Sequence, residues 1–363
     1  MKAYSMAQKA GKGVVAQACA RLGLGKVDSE VNALRYLGHL QRSDPLYDYL
    51  YHEIFVARLG LEPDKGFRVF ALHGSNAVYL YEDRRHARRV LGKFFDRHHD
   101  HDNNAAAEHE FQVLSWLHRN GLGQGQHRVV QPLGVNPNFA GVLFECFVLG
   151  EPLHRIWARS RPGMDDGEMM HSLSDLAFFL ARLHNHNVRG DPVQFREVFP
   201  YFDKIVARLW RRGRAQQQEI DQLYHLRHLW EMDPSMYSDH CVRLHGDATP
   251  ANFLVTGHHQ LTAIDFERSH FGDRAYDLGM VSGELQHWAL RQHGDAQLAE
   301  NYIGHFLWEY SRHFPDQSAA FRAITQRQPF YQALTLLRIA RNSYLGDHHA
   351  RTLIHQATAC LGR

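Results

Sequence analysis

Cysteines and long apolar runs are both scarce in this chain of 363 residues. The four cysteines, Cys19, Cys146, Cys241 and Cys360, are widely spread and include no Cys-x-x-Cys pair, so the sequence predicts neither a disulfide framework nor a zinc site. A reducing cytoplasm is therefore the compartment that we expect. The longest apolar runs, such as residues 141–147, are far too short to cross a bilayer, so no membrane span is predicted.

An excess of charge of one sign is also missing. The chain has 41 Lys and Arg against 39 Asp and Glu, a formal net charge of +2. Such a balance argues against nucleic acid as the main partner. The length exceeds what one compact core usually takes and predicts two or three packed units.

Histidine, by contrast, is abundant, with 28 residues in the chain. One run contains His98, His99 and His101, a spacing that could suggest a metal site. Its polar flanks favour a solvated loop instead, because closely spaced ligands on a loose loop rarely form a closed site. Both interpretations of the run stay open.

Three regions follow one another along the chain. Residues 31–40 and 46–59 have apolar side chains at helical spacing, which predicts a helical extension over residues 1–65. Residues 66–149 read as a small sheet with one helix, residues 105–119. Its predicted strands are residues 67–72, 77–81, 89–95, 129–135 and 141–147. Residues 150–363 are mainly helical apart from one hairpin.

That hairpin and the loop before it carry the most informative residues. Residues 253–255 and 261–264 are short apolar strands, and folding them about His258 and His259 brings Asn252 beside Asp265. Asp247 lies five residues before Asn252, on the loop that enters the hairpin. Two carboxylates and an amide oxygen form a donor set that suits Mg²⁺, with one carboxylate left to orient a nucleophile.

The same residues carry a family resemblance. His245-Gly246-Asp247, then Asn252, then Ile264-Asp265-Phe266 resemble the catalytic and metal-binding segments of the aminoglycoside phosphotransferase and choline kinase superfamily. The resemblance implies a two-lobed, protein-kinase-like α+β fold that uses ATP and Mg²⁺. It implies that Asp247 is the catalytic base and that Asn252 and Asp265 bind the metal.

A kinase-like small lobe also needs a lysine for the nucleotide phosphates. Lys93 stands at the expected place on the third predicted strand. Its carboxylate partner should lie on the following helix, where Glu108 and Glu110 compete. Glu110 falls on the apolar stripe of that helix and Glu108 does not, so we predict that Glu110 pairs with Lys93.

Two further segments are assigned to the nucleotide by the same resemblance. The turn with Gly74, Ser75 and Asn76 is expected to cover the phosphates, although a plain hairpin turn has the same sequence. The segment at residues 144–153 resembles the family's hinge between the lobes and is expected to bind adenine through the backbone of Glu145 and Phe147. A plain linker between the lobes is compatible with this role.

Two more positions bear on the catalytic loop. Residues 272–278 resemble the family's Gly-Asp-Pro-x-x-Asp-Leu segment, so we expect Asp277 to brace the catalytic loop and to cap the next helix. Thr249 departs from the family, because many relatives have His or Lys two residues after the catalytic Asp. We therefore expect a weaker or different contact to the transferred phosphate.

The acceptor is expected to be a small alcohol: a sugar, an amino sugar or an amino alcohol. An acidic wall for a polycation could come from Asp165, Asp166 and Glu168, which could equally begin a solvated helix. The C-terminal helices lean basic, which favours a neutral or anionic acceptor, such as a sugar or a sugar-containing lipid precursor, over an aminoglycoside. These basic residues are Arg338, Arg341, His348, His349 and Arg351.

Three alternatives to a small-molecule kinase remain at this stage. A kinase fold could be retained as a catalytically weak binding or regulatory module, with residues 1–65 as a partner surface. A Ser/Thr protein kinase is disfavoured because no Ala-Pro-Glu segment follows Asp265. Transfer of AMP instead of phosphate is the third.

Overall fold

The computed structural model describes residues 34–64, 66–72, 77–95, 103–139 and 141–362. These residues divide into two compact units. The N-terminal unit is drawn from Met1–Gly123 and Val130–Val148, and the C-terminal unit from Gln124–Val129 and Leu149–Arg363. The predicted histidine run at residues 98–101 and the turn at residues 74–76 lie outside the described residues.

The N-terminal unit is built on a six-stranded sheet in the order β1-β2-β3-β4-β7-β6. Every neighbouring pair in it is antiparallel. The strands are β1 (Arg35–His39), β2 (Phe67–Leu72), β3 (Ala77–Asp83), β4 (Arg88–Phe94), β6 (Pro132–Asn136) and β7 (Val142–Cys146). Helix α2 (Asn103–Leu117) is the helix that the sequence places after β4. The strands predicted before residue 95 are all present.

Strand β1 corrects the helical prediction for residues 31–40. Residues 35–39 extend the sheet at its edge by pairing with β2, with a register shift between Tyr36 and Gly38. Gly38 has a φ of +120°, which a helix does not contain and which glycine adopts at little cost. Pairing also satisfies the edge N–H and C=O groups of β2, which a helix here would leave open.

The helix predicted at residues 46–59 is present and packs in the same unit. Helix α1 (Pro45–Asp48) continues directly into a π-helical segment, Tyr49–Arg58. Asp44 caps its start, because its carboxylate accepts from the Leu46 N–H at 3.0 Å. Leu50, Ile54 and Phe55 from this segment are buried in a core shared with the sheet. Residues 34–64 are therefore an integral part of the N-terminal unit.

The strand predicted at residues 129–135 is in fact two strands. Strand β5 (His127–Val129) belongs to the C-terminal unit and pairs there in parallel with β12 (Gln260–Ala263), whereas β6 pairs with β7. Pro132 has no N–H to donate and begins β6, which is the position where a strand tolerates proline. A single continuous apolar run cannot reveal such a division.

The C-terminal unit is helical around small sheets. Its helices are α3 (Leu153–Arg159), α4 (Gly167–His186), α5 (Phe199–Arg211), α6 (Gln217–Glu231), α7 (Ala275–His293), α8 (Glu300–Ser311), α9 (Gln317–Ala340) and α10 (Asp347–Leu361). Its remaining strands are β8 (Glu151–Pro152), β9 (Val188–Pro192), β10 (His240–Arg243), β11 (Phe253–Gly257), β12 (Gln260–Ala263) and β13 (Phe271–Gly272). Within the described residues, none of the helices is both long and apolar enough for a bilayer span.

A large apolar core joins the helices of this unit. It is formed mainly by side chains from α5, α6, α9 and α10, with Phe195, Phe202 and Phe330 at its centre. This core packs α9 against α5, α6 and α10. That packing matters for the site, because α9 ends beside the loop between β10 and β11.

Candidate active site

The loop after β10 is held by one buried carboxylate. Asp277, on the first turn of α7, accepts hydrogen bonds from the His245 N–H at 2.7 Å and the Gly246 N–H at 3.0 Å. The predicted brace is therefore present. The helix cap is a different residue, because Asp273 accepts from the Ala275 N–H at 2.9 Å. Arg274 is already helical, so the helix begins early enough to place Asp277 inside its first turn.

Asp277 is itself positioned by His184 on α4. The His184 Nε2 lies 3.1 Å from Asp277 Oδ2, and its Nδ1 lies 2.8 Å from the Tyr310 hydroxyl. Burial lowers the pKa of His184, so its ring stays neutral. Burial alone would raise the pKa of Asp277, but the hydrogen bonds that it accepts from the His184 side chain and the His245 N–H lower it, so the carboxylate is ionised.

Gly246 is required by the shape of the loop. Its φ is +80°, and a Cβ there would overlap the carbonyl oxygen of Arg268. Only glycine lets the chain pass so close to the segment after β12 while turning in the left-handed region. The His-Gly-Asp pattern thus has a steric cause in this chain.

His245 links the loop to the end of the hairpin. Its Nε2 lies 3.0 Å from the Ile264 carbonyl oxygen, while its Nδ1 accepts from the Asp247 N–H at 3.3 Å. The ring is buried against Phe253 and Phe266. Through these contacts, His245 fixes the position of Asp247 relative to β11 and β12.

The hairpin register differs by one residue from the prediction. Asn252 lies opposite Ile264, not Asp265, since the Ile264 N–H donates to the Asn252 carbonyl at 3.0 Å. The turn does fold about residues 258 and 259, but a bulge between Val255 and Gly257 shifts the rest of the ladder. Asp265 follows directly with a φ of +65°, so the chain leaves the sheet at that residue.

Asn252 is fixed in a way that fits a metal ligand. Its Nδ2 donates to the Asp247 carbonyl oxygen at 2.9 Å, which leaves its amide oxygen as the remaining side-chain ligand atom. Asp265, one residue beyond the partner of Asn252, adds a carboxylate at the end of the same hairpin. Hard oxygen donors of this kind suit Mg²⁺. The residues therefore fit the ion that the sequence implied.

The side chain of Asp247 has two arginine neighbours that sequence reasoning missed. Arg338 Nη1, from α9, lies 3.1 Å from Oδ1, and Arg268 Nη1 lies 3.6 Å from Oδ2. Arg338 Nη2 also binds Glu284 on α7 at 2.7 Å. In the sequence, Arg338 is only one of several basic residues near the C-terminus. A separation of 91 positions from Asp247 leaves no local pattern that could pair them.

The N-terminal unit contains the predicted pair of Lys93 and Glu110. Their side chains meet at 2.8 Å between Nζ and Oε2, and Glu110 is fully buried. Glu108 on the same helix is exposed, which agrees with the choice made from the helical wheel. Lys93 lies on β4 in the interior of the sheet, between Val78 of β3 and Leu143 of β7.

The predicted hinge has one feature that bears on its assignment. Glu145 lies on β7 and is buried, and Phe147 follows the strand. The Phe147 N–H donates to the Arg89 carbonyl oxygen, but the bond is long, at 3.3 Å. This bond would have to open before that amide could donate to a base. Gly74, Ser75 and Asn76, the predicted phosphate turn, lie outside the described residues.

Comparison with known proteins decides the family. A model of the phosphotransferase enzyme family, APH, matches residues 66–314. The chain belongs to this family. No curated protein sequence matches it. The matched residues include every described candidate site residue in both units except Arg338. Membership supports a small-molecule phosphotransferase, within the aminoglycoside phosphotransferase and choline kinase superfamily.

Solved structures of APH-family and related kinases share the fold. An ethanolamine kinase from Plasmodium vivax is 16% identical with a TM-score of 0.54, over 87% of this chain and 89% of that one. The streptomycin and ATP complex of APH(2")-IIa is 11% identical with a TM-score of 0.52, over 89% and 97%. The GDP complex of aminoglycoside 2'-phosphotransferase-IIIa is 15% identical with a TM-score of 0.51, over 85% and 97%. The predicted α+β, kinase-like fold, with an antiparallel sheet before a helical region, is thus confirmed.

Proposed function

We propose that this APH-family protein is an ATP- and Mg²⁺-dependent kinase that transfers the γ-phosphoryl group to a hydroxyl of a small molecule. The observation that carries the proposal is the Asp247 loop. A partly exposed carboxylate lies on a loop whose backbone is fixed by Asp277, and Asn252 binds the backbone of the same residue. Such rigidity is what a reaction catalysed mainly by positioning requires.

Each residue then has a distinct task. Asp247 orients the acceptor hydroxyl and takes its proton as the oxygen bonds to the γ-phosphorus and the bond from that phosphorus to the β–γ bridging oxygen breaks, releasing ADP. Lys93, held by Glu110, contacts the nucleotide phosphates. Asn252 and Asp265 would hold Mg²⁺, which neutralises charge on the phosphate oxygens when bound.

The remaining nucleotide contacts are carried over from the family resemblance. Adenine is assigned to the backbone of Glu145 and Phe147, after release of the Phe147 N–H from Arg89. The turn of Gly74, Ser75 and Asn76 is assigned to the phosphates. The family neighbours that hold ATP or GDP in their structures support a nucleotide as the donor.

The test is ADP release from ATP by the purified protein, with Mg²⁺ or with EDTA. Pools of sugars, amino alcohols and hydroxy acids serve as acceptors, and casein tests protein kinase activity. Asp247→Asn should lower acceptor-stimulated release about 10²- to 10⁴-fold, the usual effect of losing a general base. Asp221→Asn, on the exposed face of α6, is the matched control and should leave the rate within about twofold.

Four results would contradict the proposal. ATP binding without release in any pool would favour the alternative of a binding or regulatory module. Equal rates for Asp247→Asn and the control would remove Asp247 from the chemistry. Stimulation by casein alone would replace small molecules by proteins as the acceptor class, and release of pyrophosphate in place of ADP would indicate AMP transfer.

A further inference from the structure

The carboxylate of Asp247 lies in surroundings dominated by arginine. Each of its oxygens faces a guanidinium, Arg338 at 3.1 Å and Arg268 at 3.6 Å. Arg338 is only 14% exposed, whereas Arg268 is 54% exposed, so the first is built into the unit and the second reaches out from its surface. An acceptor whose hydroxyl meets Asp247 therefore meets a fixed guanidinium beside it.

Arg338 keeps donor capacity after binding both carboxylates. Its two terminal nitrogens bind Asp247 and Glu284, but its Nε is buried and has no hydrogen-bond partner among the described residues. A guanidinium offers five N–H donors in a planar fork, and a buried unpaired donor is unfavourable. A ligand oxygen at this place would satisfy it.

A second arginine continues the basic surface. Arg341 follows Arg338 by three residues, close to one helical turn, at the C-terminal end of α9. Its guanidinium lies over the Tyr201 ring at 5.5 Å, and its Nη2 is 3.5 Å from the Tyr201 hydroxyl. It forms no ion pair with a carboxylate in the part of the chain that the structure describes. Its positive charge is thus free to bind an anion.

Two half-buried histidines add polar groups without adding negative charge. His287, one turn after Glu284 on α7, packs against His349 of α10 with ring centroids 5.3 Å apart. The Nε2 atoms of both are buried and without a partner among the described residues. Burial, with the positive charge of Arg291 and Arg338, lowers the pKa of His287 to about 4, so its ring is neutral. Neutral imidazoles can bind hydroxyl or anionic oxygens.

Two of the three carboxylates that could form an acidic wall for a polycation have partners elsewhere. Glu168 binds Arg159 at 2.5 Å, and Asp166 accepts from the Tyr302 hydroxyl at 2.8 Å. Arg338 and Arg268 contact Asp247, and their other carboxylate partners are Glu284 and Glu267. The charge of Arg341, which has no carboxylate partner among the described residues, therefore favours an anionic acceptor over a cationic one.

We propose that the acceptor is a small alcohol that also carries a carboxylate or phosphate group, bound by Arg341 and Arg338 about one helical turn, roughly 5 Å, from the hydroxyl that faces Asp247. The proposal rests on the phosphotransferase function stated above. It names Arg341 as a residue that determines specificity.

Related acceptors that differ in charge test the proposal. Glycerol, glycerate, glycerol phosphate and serinol form one set, and glucose, gluconate, glucose 6-phosphate and glucosamine form another. We expect kcat/KM to be at least about tenfold higher for an anionic member than for its neutral and cationic counterparts. Comparing glycerate with glycerol phosphate, and gluconate with glucose 6-phosphate, distinguishes a carboxylate from a phosphate.

Variants of Arg341 separate specificity from folding. Arg341→Gln should lower the ratio of anionic to neutral kcat/KM about tenfold, mainly through KM, and Arg341→Lys should restore part of it. Arg341→Glu should shift the order toward serinol and glucosamine. Arg322→Gln, an exposed arginine on the same helix, is the control and should leave the ratio unchanged.

Direct binding keeps the two proposals distinguishable. Saturation-transfer NMR with ADP and Mg²⁺ measures acceptor binding without turnover. Binding or turnover that favours neutral or cationic members, or an Arg341→Gln ratio equal to that of the control, would overturn the anionic acceptor. Turnover of those members would leave the kinase function standing. Selective binding of anionic members without transfer would support the basic site while contradicting the kinase function.

Discussion

Two ion-pair sites, one in each unit, differ in how they are built. Lys93 and Glu110 lie 17 residues apart and bind each other at 2.8 Å, with side chains that are 10% and 0% exposed. In the C-terminal unit, Arg338 bridges two carboxylates from distant segments, and Asp247 is 17% exposed. The first site is a pair within a sheet and its helix. The second is a shared cation beside a carboxylate that solvent can reach.

This difference separates a positioning site from a reacting site. A buried pair of opposite charges keeps a lysine ionised and fixed, which suits a residue that holds phosphates. A carboxylate that must take a proton has to remain accessible, so its neighbours can orient it without enclosing it. The predictions below test whether the two sites differ in this way.

The largest effect on stability is expected at the buried pair of Lys93 and Glu110. Lys93→Met leaves the carboxylate of Glu110 buried without its cation and should lower the free energy of unfolding by about 3 kcal/mol. Lys93→Met with Glu110→Leu should recover most of that loss, since an apolar pair replaces a buried ion pair at little cost. Urea denaturation measures both, with Lys204→Met on an exposed position as the control. A double variant no more stable than the single one would contradict the account.

At the Asp247 site, the effect on the reaction rate should be clearer than the effect on stability. Arg338→Met removes the cation that orients Asp247, so kcat should fall about tenfold, corresponding to about 1.4 kcal/mol. The unfolding free energy should change by only about 1–2 kcal/mol, since Asp247 and Glu284 stay partly solvated. A double-mutant cycle with Glu284→Gln should give a coupling energy of about 0.5–3 kcal/mol. Strictly additive effects would show that the three groups do not act together.

The loop that carries Asp247 offers a steric test. Gly246→Ala places a Cβ against the Arg268 carbonyl at a φ of +80° and should destabilise by about 1–3 kcal/mol. Gly304→Ala, inside α8 with open space around it, should stabilise by about 0.5–1 kcal/mol. Thermal unfolding of both proteins checks the opposite signs. A Gly246→Ala protein that is as stable as the wild type would remove the steric explanation of the motif.

The most gradual effect is the change of the unfolding free energy with pH. His287 has a pKa lowered to about 4 by burial, and the ordinary value in an unfolded chain is about 6.5. The unfolded state therefore binds a proton first, and stability should fall as pH drops from about 6.5 to about 4, by at most about 1.4 kcal/mol per unit for this residue. The pKa of His184 is also lowered by burial, so His184 changes stability in the same direction.

Urea titrations at several pH values measure the slope of the unfolding free energy against pH. His287→Gln should reduce this slope, because it removes one histidine whose pKa is lowered in the folded state. Asp277, whose pKa is lowered, loses its contribution only in stronger acid, below its ordinary value near 3.8. A slope that is unchanged in His287→Gln would contradict the assignment of its titration.

Much of this structure could be predicted from local patterns. Short strand-like runs located β2, β3 and β4, and the apolar stripe on α2 selected Glu110 over Glu108. The His-Gly-Asp and Ile-Asp-Phe segments located the loop and the hairpin, whose steric requirements lie within a few residues. These features are determined by neighbours in sequence, which is why a single sequence reveals them.

What could not be predicted depends on distant partners or on a single extra residue. Strand β1 forms because β2 offers an edge, which helical spacing in residues 31–40 does not reveal. The bulge in β11 moves Asn252 opposite Ile264, a shift that no turn signal indicated. Arg338 reaches Asp247 only because the core of the C-terminal unit places α9 beside the loop. Tertiary packing decided each of these three.

The most direct test of the central assignment is to identify the product. The purified protein is incubated with ATP, Mg²⁺ and the pooled acceptors, and mass spectrometry searches for an acceptor that has gained one phosphoryl group. Such a product, carrying an anionic group, is expected with the wild type and with Asp221→Asn but not with Asp247→Asn. A phosphorylated acceptor formed equally by Asp247→Asn, or ADP release with no phosphorylated acceptor at all, would contradict this assignment.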